Sequence, residues 1–229
     1  MEALAVDRRR EANAAWFADE AERLARLCGE MAKRFARGGR LLATGSHDGT
    51  AILWDVTDPA QPAPTATFVL HPRRRWLGGP SSTVHALGFS ANGRLLAISS
   101  QRHGVTGDVM VASGPSVSEV SLWEVTDPAQ PARTATLTHR RVSNKQRRAD
   151  RLADEPTVYA VGFSVDGSLL ATGSADGTVA LWDVTDPTQP AWTATLTHHR
   201  RVRAAGFSPD GRLLAACGDN SVTLWRRSP

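Results

Sequence analysis

From about residue 39 onward the chain runs in short segments in which apolar and polar positions alternate, the period of half-buried strands. The clearest stretch is TVYAVGF (157–163), then SLLATGS (168–174) after Val-Asp-Gly, TVALWDV (178–184) after Ala-Asp-Gly, and WTATLT (192–197) after DPTQPA. The breaks between runs have a physical logic. Asn92-Gly93, Asp166-Gly167, Asp176-Gly177 and Asp210-Gly211 supply the positive backbone angles that tight hairpins require. Asp-Pro followed by Gln-Pro, at 58–62, 127–131 and 186–190, ends a strand because proline cannot continue a ladder. The pattern predicts four antiparallel strands per period of about 44 residues, measured from Phe163 to Phe207.

The phrase LWDVTDP at Leu53–Pro59 returns at Leu181–Pro187, with LWEVTDP at Leu122–Pro128 and a shortened TLWRRSP from Thr223. A unit repeated this closely identifies a chain built by repetition, and four strands per unit is the pattern of a propeller blade. The expected class is all-β, with function on surfaces shared between repeats. From roughly Gly39 to Arg226 the residues resemble the WD-repeat propellers. The resemblance is carried by FSANGRLLAISS, FSVDGSLLATGS and FSPDGRLLAACG, each followed by a strand ending in Leu-Trp, and by GSHDGTAILWD and GSADGTVALWD.

It implies blades at about 39–70, 83–138, 157–197 and 202–226. It also implies a hydrogen-bonded set inside a blade, formed by Ser46, Asp48 and Trp54 in the first and by Ser174, Asp176 and Trp182 in the third. His139 and either His198 or His199 would supply imidazoles. Although Ser, His and Asp converge in such a set, the resemblance assigns them to bracing strands rather than to a catalytic triad. A neutral imidazole between them would satisfy buried polar groups that otherwise cost about 1 to 3 kcal/mol each. Thr-His-His and Thr-His-Arg replace the family's usual Gly-His, and Gly218-Asp219-Asn220 stands where Asp-Gly is expected, which predicts weaker bracing in blades two and four.

Counting runs gives about 14 strands, with the first blade short of its innermost strand and the last ending after its third. Such an arc would leave unpaired edges at both ends. Three outcomes stay open: two chains pairing to complete the propeller, a small four-bladed ring, or a fragment of low stability. A homodimer is favoured because symmetric dimers are the commonest assembly.

Residues 1–37 read differently. Phe17, Ala21, Leu24, Cys28, Met31 and Phe35 are spaced alternately by four and three, the stripe of an amphipathic α-helix over residues 8–37 that Gly38-Gly39 stops. So narrow a stripe needs a partner surface. A second, fainter resemblance lies at about 20–46, where AERLARLCGEMAKRFARGGRLLATGS is similar to the helix and first strand of the sugar isomerase domains of phosphosugar isomerases. The Ser- and Gly-rich phosphate loop of that family is replaced by GSHDGTAILWD, so no isomerase activity is carried over.

Composition adds bounds rather than identity. The chain has 229 residues, 41% of them apolar, enough for a substantial core. Its start carries charges where a signal peptide needs an apolar run, and no stretch reaches the ~18 apolar residues of a membrane span, so a cytoplasmic protein without membrane contact is expected. Cys28 and Cys217 provide neither a disulfide framework nor a metal site. The GxxxxGK[ST], HExxH and GxSxG patterns are absent, and no enzyme activity, metal or cofactor is expected.

Charge changes the picture. The formal net charge is +4, and the basic residues are nearly all arginine. Three long connections and the segment from His198 to Arg203 hold Arg73, Arg74, Arg75, Arg102, Arg140, Arg141, Lys145, Arg147, Arg148, Arg151, Arg200, Arg201 and Arg203, with Trp76 among them. In propeller topology these connections emerge on one rim. Clustered guanidinium groups bind carboxylate or phosphate bidentately. The reading is a non-enzymatic scaffold that binds a protein partner with an acidic surface. Nucleic acid is the alternative, disfavoured because Trp76 is the one obvious stacking residue in these connections. A further alternative is an incomplete fusion product carrying a sugar isomerase remnant.

Overall fold

The structure is a computed structural model that describes residues 40–70, 82–104, 114–139, 157–198, 200–218 and 221–227. They form fourteen β-strands, and no helix occurs among the described residues. The helix expected over residues 8–37 lies outside them. The strands form four antiparallel sheets. Sheet one holds β1 (Leu41–Gly45), β2 (Thr50–Asp55) and β3 (Ala63–Val69). Sheet two holds β4 (Ser82–Phe89), β5 (Leu95–Gly104), β6 (Gly114–Glu124) and β7 (Ala132–Thr138). Sheet three holds β8 (Val158–Phe163), β9 (Leu169–Ser174), β10 (Thr178–Asp183) and β11 (Ala191–Thr197), and sheet four holds β12 (Ala204–Phe207), β13 (Leu213–Cys217) and β14 (Val222–Arg226). Within every sheet the strands follow chain order, as a run of tight hairpins dictates.

The chain divides into two compact units, Met1–Leu41 with Asp55–Ala63, and Leu42–Trp54 with Pro64–Pro229. In the described part of the first, Val56 N–H donates to the Arg40 carbonyl at 2.8 Å, and Asp55 accepts from both the amide and the hydroxyl of Thr57. Those two bonds hold the Asp55 carboxyl below the usual range. All further description concerns the second unit.

Each FSxxG phrase builds the same turn. Ser164 Oγ accepts from Leu169 N–H at 2.9 Å and donates to the Asp166 carboxylate, and Ser90 with Leu95 and Asn92, and Ser208 with Leu213 and Asp210, repeat the arrangement. Gly93, Gly167 and Gly211 follow with φ of 69°, 72° and 69°, the left-handed region that favours glycine. A second recurring device is a threonine on the outermost strand, beside a bulge in sheets two and three. Thr65, Thr134 and Thr193 donate their hydroxyls to the carbonyls of Leu53, Leu122 and Leu181 at 3.1, 3.3 and 3.0 Å.

The core lies between neighbouring sheets. Alternation sends Leu170, Ala180 and Trp182 of sheet three toward Ala97, Val120, Leu122 and Leu137 of sheet two. The intervening Ala171 and Val179 pack with Val202, Leu214 and Ala216 on the side of sheet four. Strands β9 and β10 of sheet three are thus buried on both faces, which explains why LLATGS and TVALW read as almost unbroken apolar and hydroxyl runs. On sheet four the residues equivalent to Val179 and Leu181 are Val222 and Leu224, and these are 68% and 61% exposed. The innermost strands approach closely: a Cβ at Gly162 of β8 would lie 2.8 Å from the Ala205 carbonyl of β12.

Candidate functional site

Among the residues expected to form the hydrogen-bonded set, the third sheet gives the fullest arrangement. His139, just after β7, is buried and reaches into sheet three. Its Nε2 lies 2.7 Å from Thr178 Oγ1, and that hydroxyl donates to Asp176 Oδ1 at 2.6 Å. Its Nδ1 lies 3.1 Å from Thr172 Oγ1, and Thr172 accepts from Trp182 Nε1–H at 3.1 Å. One proton direction satisfies the whole row: indole to Thr172, Thr172 to imidazole, imidazole to Thr178, and Thr178 to carboxylate. It requires a neutral imidazole protonated on Nε2. Burial pushes the His139 pKa down and the Asp176 charge only partly opposes this, in keeping with that form.

The hydroxyl that joins imidazole and indole is therefore Thr172, not Ser174. Ser174 Oγ accepts from Asp176 N–H at 3.4 Å and stays at the mouth of the turn. Thr172 is 0% and Thr178 5% exposed, so these hydroxyls are occupied in joining two sheets. In the first sheet Trp54 Nε1–H donates to Thr44 Oγ1 at 2.9 Å, Asp48 accepts from the amide and hydroxyl of Thr50, and Ser46 Oγ accepts from Asp48 N–H. Thr44 and Thr172 share the position two residues before the named serines. On a strand both members of such a pair face the same side, so alternation alone does not choose between them.

Sheet two solves the same problem with other residues. Ile98 replaces the threonine, and the hydroxyl moves across the ladder to its facing partner Ser121, which accepts from Trp123 Nε1–H at 2.9 Å. Ser99 Oγ donates to the Val158 carbonyl at 2.6 Å, and Ser118 Oγ accepts from Val158 N–H at 3.0 Å. Both backbone groups of one residue in sheet three are thus held by hydroxyls of sheet two. Sheet two, expected to be weakly braced, carries this second clamp instead.

Of the expected basic rim, Arg102, Arg200, Arg201 and Arg203 belong to the described residues, and Arg102 lies within β5, facing Ser82 and Val117 across the ladders. Arg73, Arg74, Arg75, Trp76, Arg140, Arg141, Lys145, Arg147, Arg148 and Arg151 lie outside them, as does His199. Arg200, Arg201 and Arg203 are exposed around Val202, which is fully buried. The backbone beneath them is fixed at several points. The buried His198, protonated on Nδ1, donates to the Arg200 carbonyl at 2.8 Å while Nε2 faces Ser221 Oγ at 3.3 Å. Val202 N–H donates to Ser174 O at 2.9 Å, and Arg203 N–H to Cys217 O at 2.8 Å. His198 is therefore the second of the two candidate imidazoles, and it fixes the segment that carries the arginines. No cluster of three or more metal-ligating side chains occurs among the described residues, and no described helix is long and apolar enough to cross a membrane.

Comparison with known proteins follows this geometry. The Protein LST8 homolog of Drosophila melanogaster is 26% identical over 170 residues, covering 65% of this chain and 53% of that protein. The DDB1- and CUL4-associated factor 13 of Dictyostelium discoideum is 29% identical over 89 residues, covering 34% and 20%. The chain spans about a fifth to a half of the length of such relatives. Among solved structures, Kuenenia stuttgartiensis hydrazine synthase matches over 83% of this chain and 56% of its own with a TM-score of 0.59 at 15% identity, a likeness of fold alone. The all-β architecture of four antiparallel sheets is thus propeller-like. The model of the WD domain, G-beta repeat, matches residues 30–55, 152–183 and 191–226. WD40 repeats are therefore present in this chain, and its curated relatives are WD-repeat proteins.

Proposed function

We propose that this chain is a non-enzymatic, cytosolic scaffold that holds a protein partner through arginine side chains on the connections between its sheets. WD-repeat proteins are in general protein-interaction scaffolds, and one relative is named for its association with DDB1 and CUL4. The observation that carries the reading is the segment 200–203. Its backbone is tied to two neighbouring sheets and to a buried imidazole, while Arg200, Arg201 and Arg203 are exposed residues. A cationic group on a fixed backbone loses little freedom when a carboxylate docks, so it contributes to both orientation and encounter rate.

The partner surface that fits is acidic. The same charge attracts nucleic acid, and salt separates the two: phosphate binding weakens by orders of magnitude between about 50 and 200 mM salt. The test is capture of a partner by the full chain and by the triple variant Arg200→Ala, Arg201→Ala, Arg203→Ala, with circular dichroism to verify the fold. Loss of the captured protein from the triple variant is expected. Equal capture by both chains would remove the arginine segment from the interface, and recovery of nucleic acid in place of protein would favour the alternative.

A further inference from the structure

Sheets one and two meet at an aromatic contact: Phe68 of β3 sits edge-on to Trp123 of β6, ring centroids 4.8 Å apart at 68°, and Phe68 is 3% exposed. One repeat later the equivalent residues are Leu137 of β7 and Trp182 of β10. Beside them an open groove of about 810 Å³ is lined among others by Thr136, Leu137, Thr138, Trp182, Pro190 and Trp192. Trp192 is itself particular to this repeat, because Pro64 and Arg133 hold its place in the two before. It is 60% exposed and stands opposite Trp182 across the β10–β11 ladder.

The chemistry of this groove is narrow. Both indole N–H groups are engaged, Trp182 with Thr172 and Trp192 with Thr195 at 3.1 Å each, so the rings offer carbon surface. None of the lining residues is charged. A charged occupant would be desolvated without a partner, at a cost of several kcal/mol (~2 to 7 for even a neutral polar group). Ala135–Thr138 line the groove consecutively, and β7 is the outermost strand of sheet two, so main-chain groups along its outer edge face the space. Main-chain groups in a row are met by another strand.

We propose that this groove takes an extended, uncharged peptide segment of a protein partner, laid along the outer edge of β7, with a phenylalanine side chain against Trp182 and Trp192, beside Leu137. The phenyl group supplies to Trp182 the edge-on contact that Phe68 supplies to Trp123. The site is independent of the arginine segment, and either can fail without the other.

The test uses the full ¹⁵N-labelled chain, titrated with a capped peptide of the sequence Ala63–Val69, which carries Phe68, and with its counterpart bearing alanine at that place. The tryptophan indole N–H resonances are followed. The phenylalanine peptide is expected to shift the Trp182 and Trp192 signals, and the alanine peptide to bind at least about tenfold more weakly, which corresponds to about 1.4 kcal/mol. Leu137→Phe copies the preceding repeat into the groove and should abolish the shifts while melting no lower than the parent. Trp192→Arg, a surface change that copies Arg133, should weaken them without touching the core. Equal binding of both peptides, undiminished binding by Leu137→Phe or Trp192→Arg, or shifts confined to other indoles would overturn the assignment. So would shifts caused by benzyl alcohol but by neither peptide, which would mark a small-molecule pocket.

Discussion

The imidazole of His139 ties an indole, two buried hydroxyls and a carboxylate across two sheets. Replacing it with alanine leaves Thr172 and Thr178 short of partners and opens a void. His139→Ala should therefore cost about 2 to 4 kcal/mol, read as a lower urea midpoint with unchanged slope. A cost under about 0.5 kcal/mol would show that the row is incidental. The same residue sets a pH dependence. Its folded pKa is lowered, chiefly by burial, so the unfolded chain binds the proton first on acidification. Its contribution is full above the unfolded value of about 6.5 and is lost as pH falls through the folded one. Asp166, Asp183, Asp186 and Asp210, held low first by hydroxyls and then by backbone amides, add a second loss that begins near pH 4. The urea midpoint should thus be flat near neutrality and fall in two stages, and His139→Gln should erase the upper stage. An unaltered profile in that variant would place the upper stage elsewhere.

Hairpin elements show which demands on a glycine are conformational and which are spatial. Gly167 has φ of 72° and open space around its missing Cβ, so Gly167→Ala should cost only the left-handed penalty of about 1 to 2 kcal/mol. Gly162 lies in ordinary strand backbone but faces the Ala205 carbonyl, so Gly162→Ala must move one innermost strand from the next. The second change should lower the melting temperature more, and the reverse order would contradict the close approach of β8 and β12. These turns were legible in the sequence because Asp-Gly and FSxxG state their backbone angles locally. The bracing row was half legible. Asp176, His139 and Trp182 are individual side chains, but Ser174 and Thr172 point the same way two residues apart, and geometry alone decides between them. The Ser99 and Ser118 clamp on Val158 left no trace, since it depends on a contact between residues far apart in the chain.

At the scale of the whole molecule, sheets one and four have three strands each where sheets two and three have four, and the Val222–Leu224 face of sheet four is uncovered. The corresponding face of sheet three is buried by its neighbour. A second copy of the chain that covers this face would remove two large apolar side chains from water, at roughly 1.5 to 3 kcal/mol each. Light scattering on the 229-residue chain should give the mass of a dimer, and Val222→Asp with Leu224→Asp should return it to monomer. A monomer at micromolar concentration in the parent would discard the pairing. The repeat number and all-β class were readable because each repeat writes the same turns. What distinguishes one gap from another was not, because it rests on single exchanges such as Phe68 against Leu137 or Pro64 and Arg133 against Trp192. Since every sheet leans only on those beside it, an exchange at one gap leaves distant gaps undisturbed. Duplicated segments of the gene can consequently diverge in what they grip, one interval at a time, without the rest of the polypeptide having to adapt.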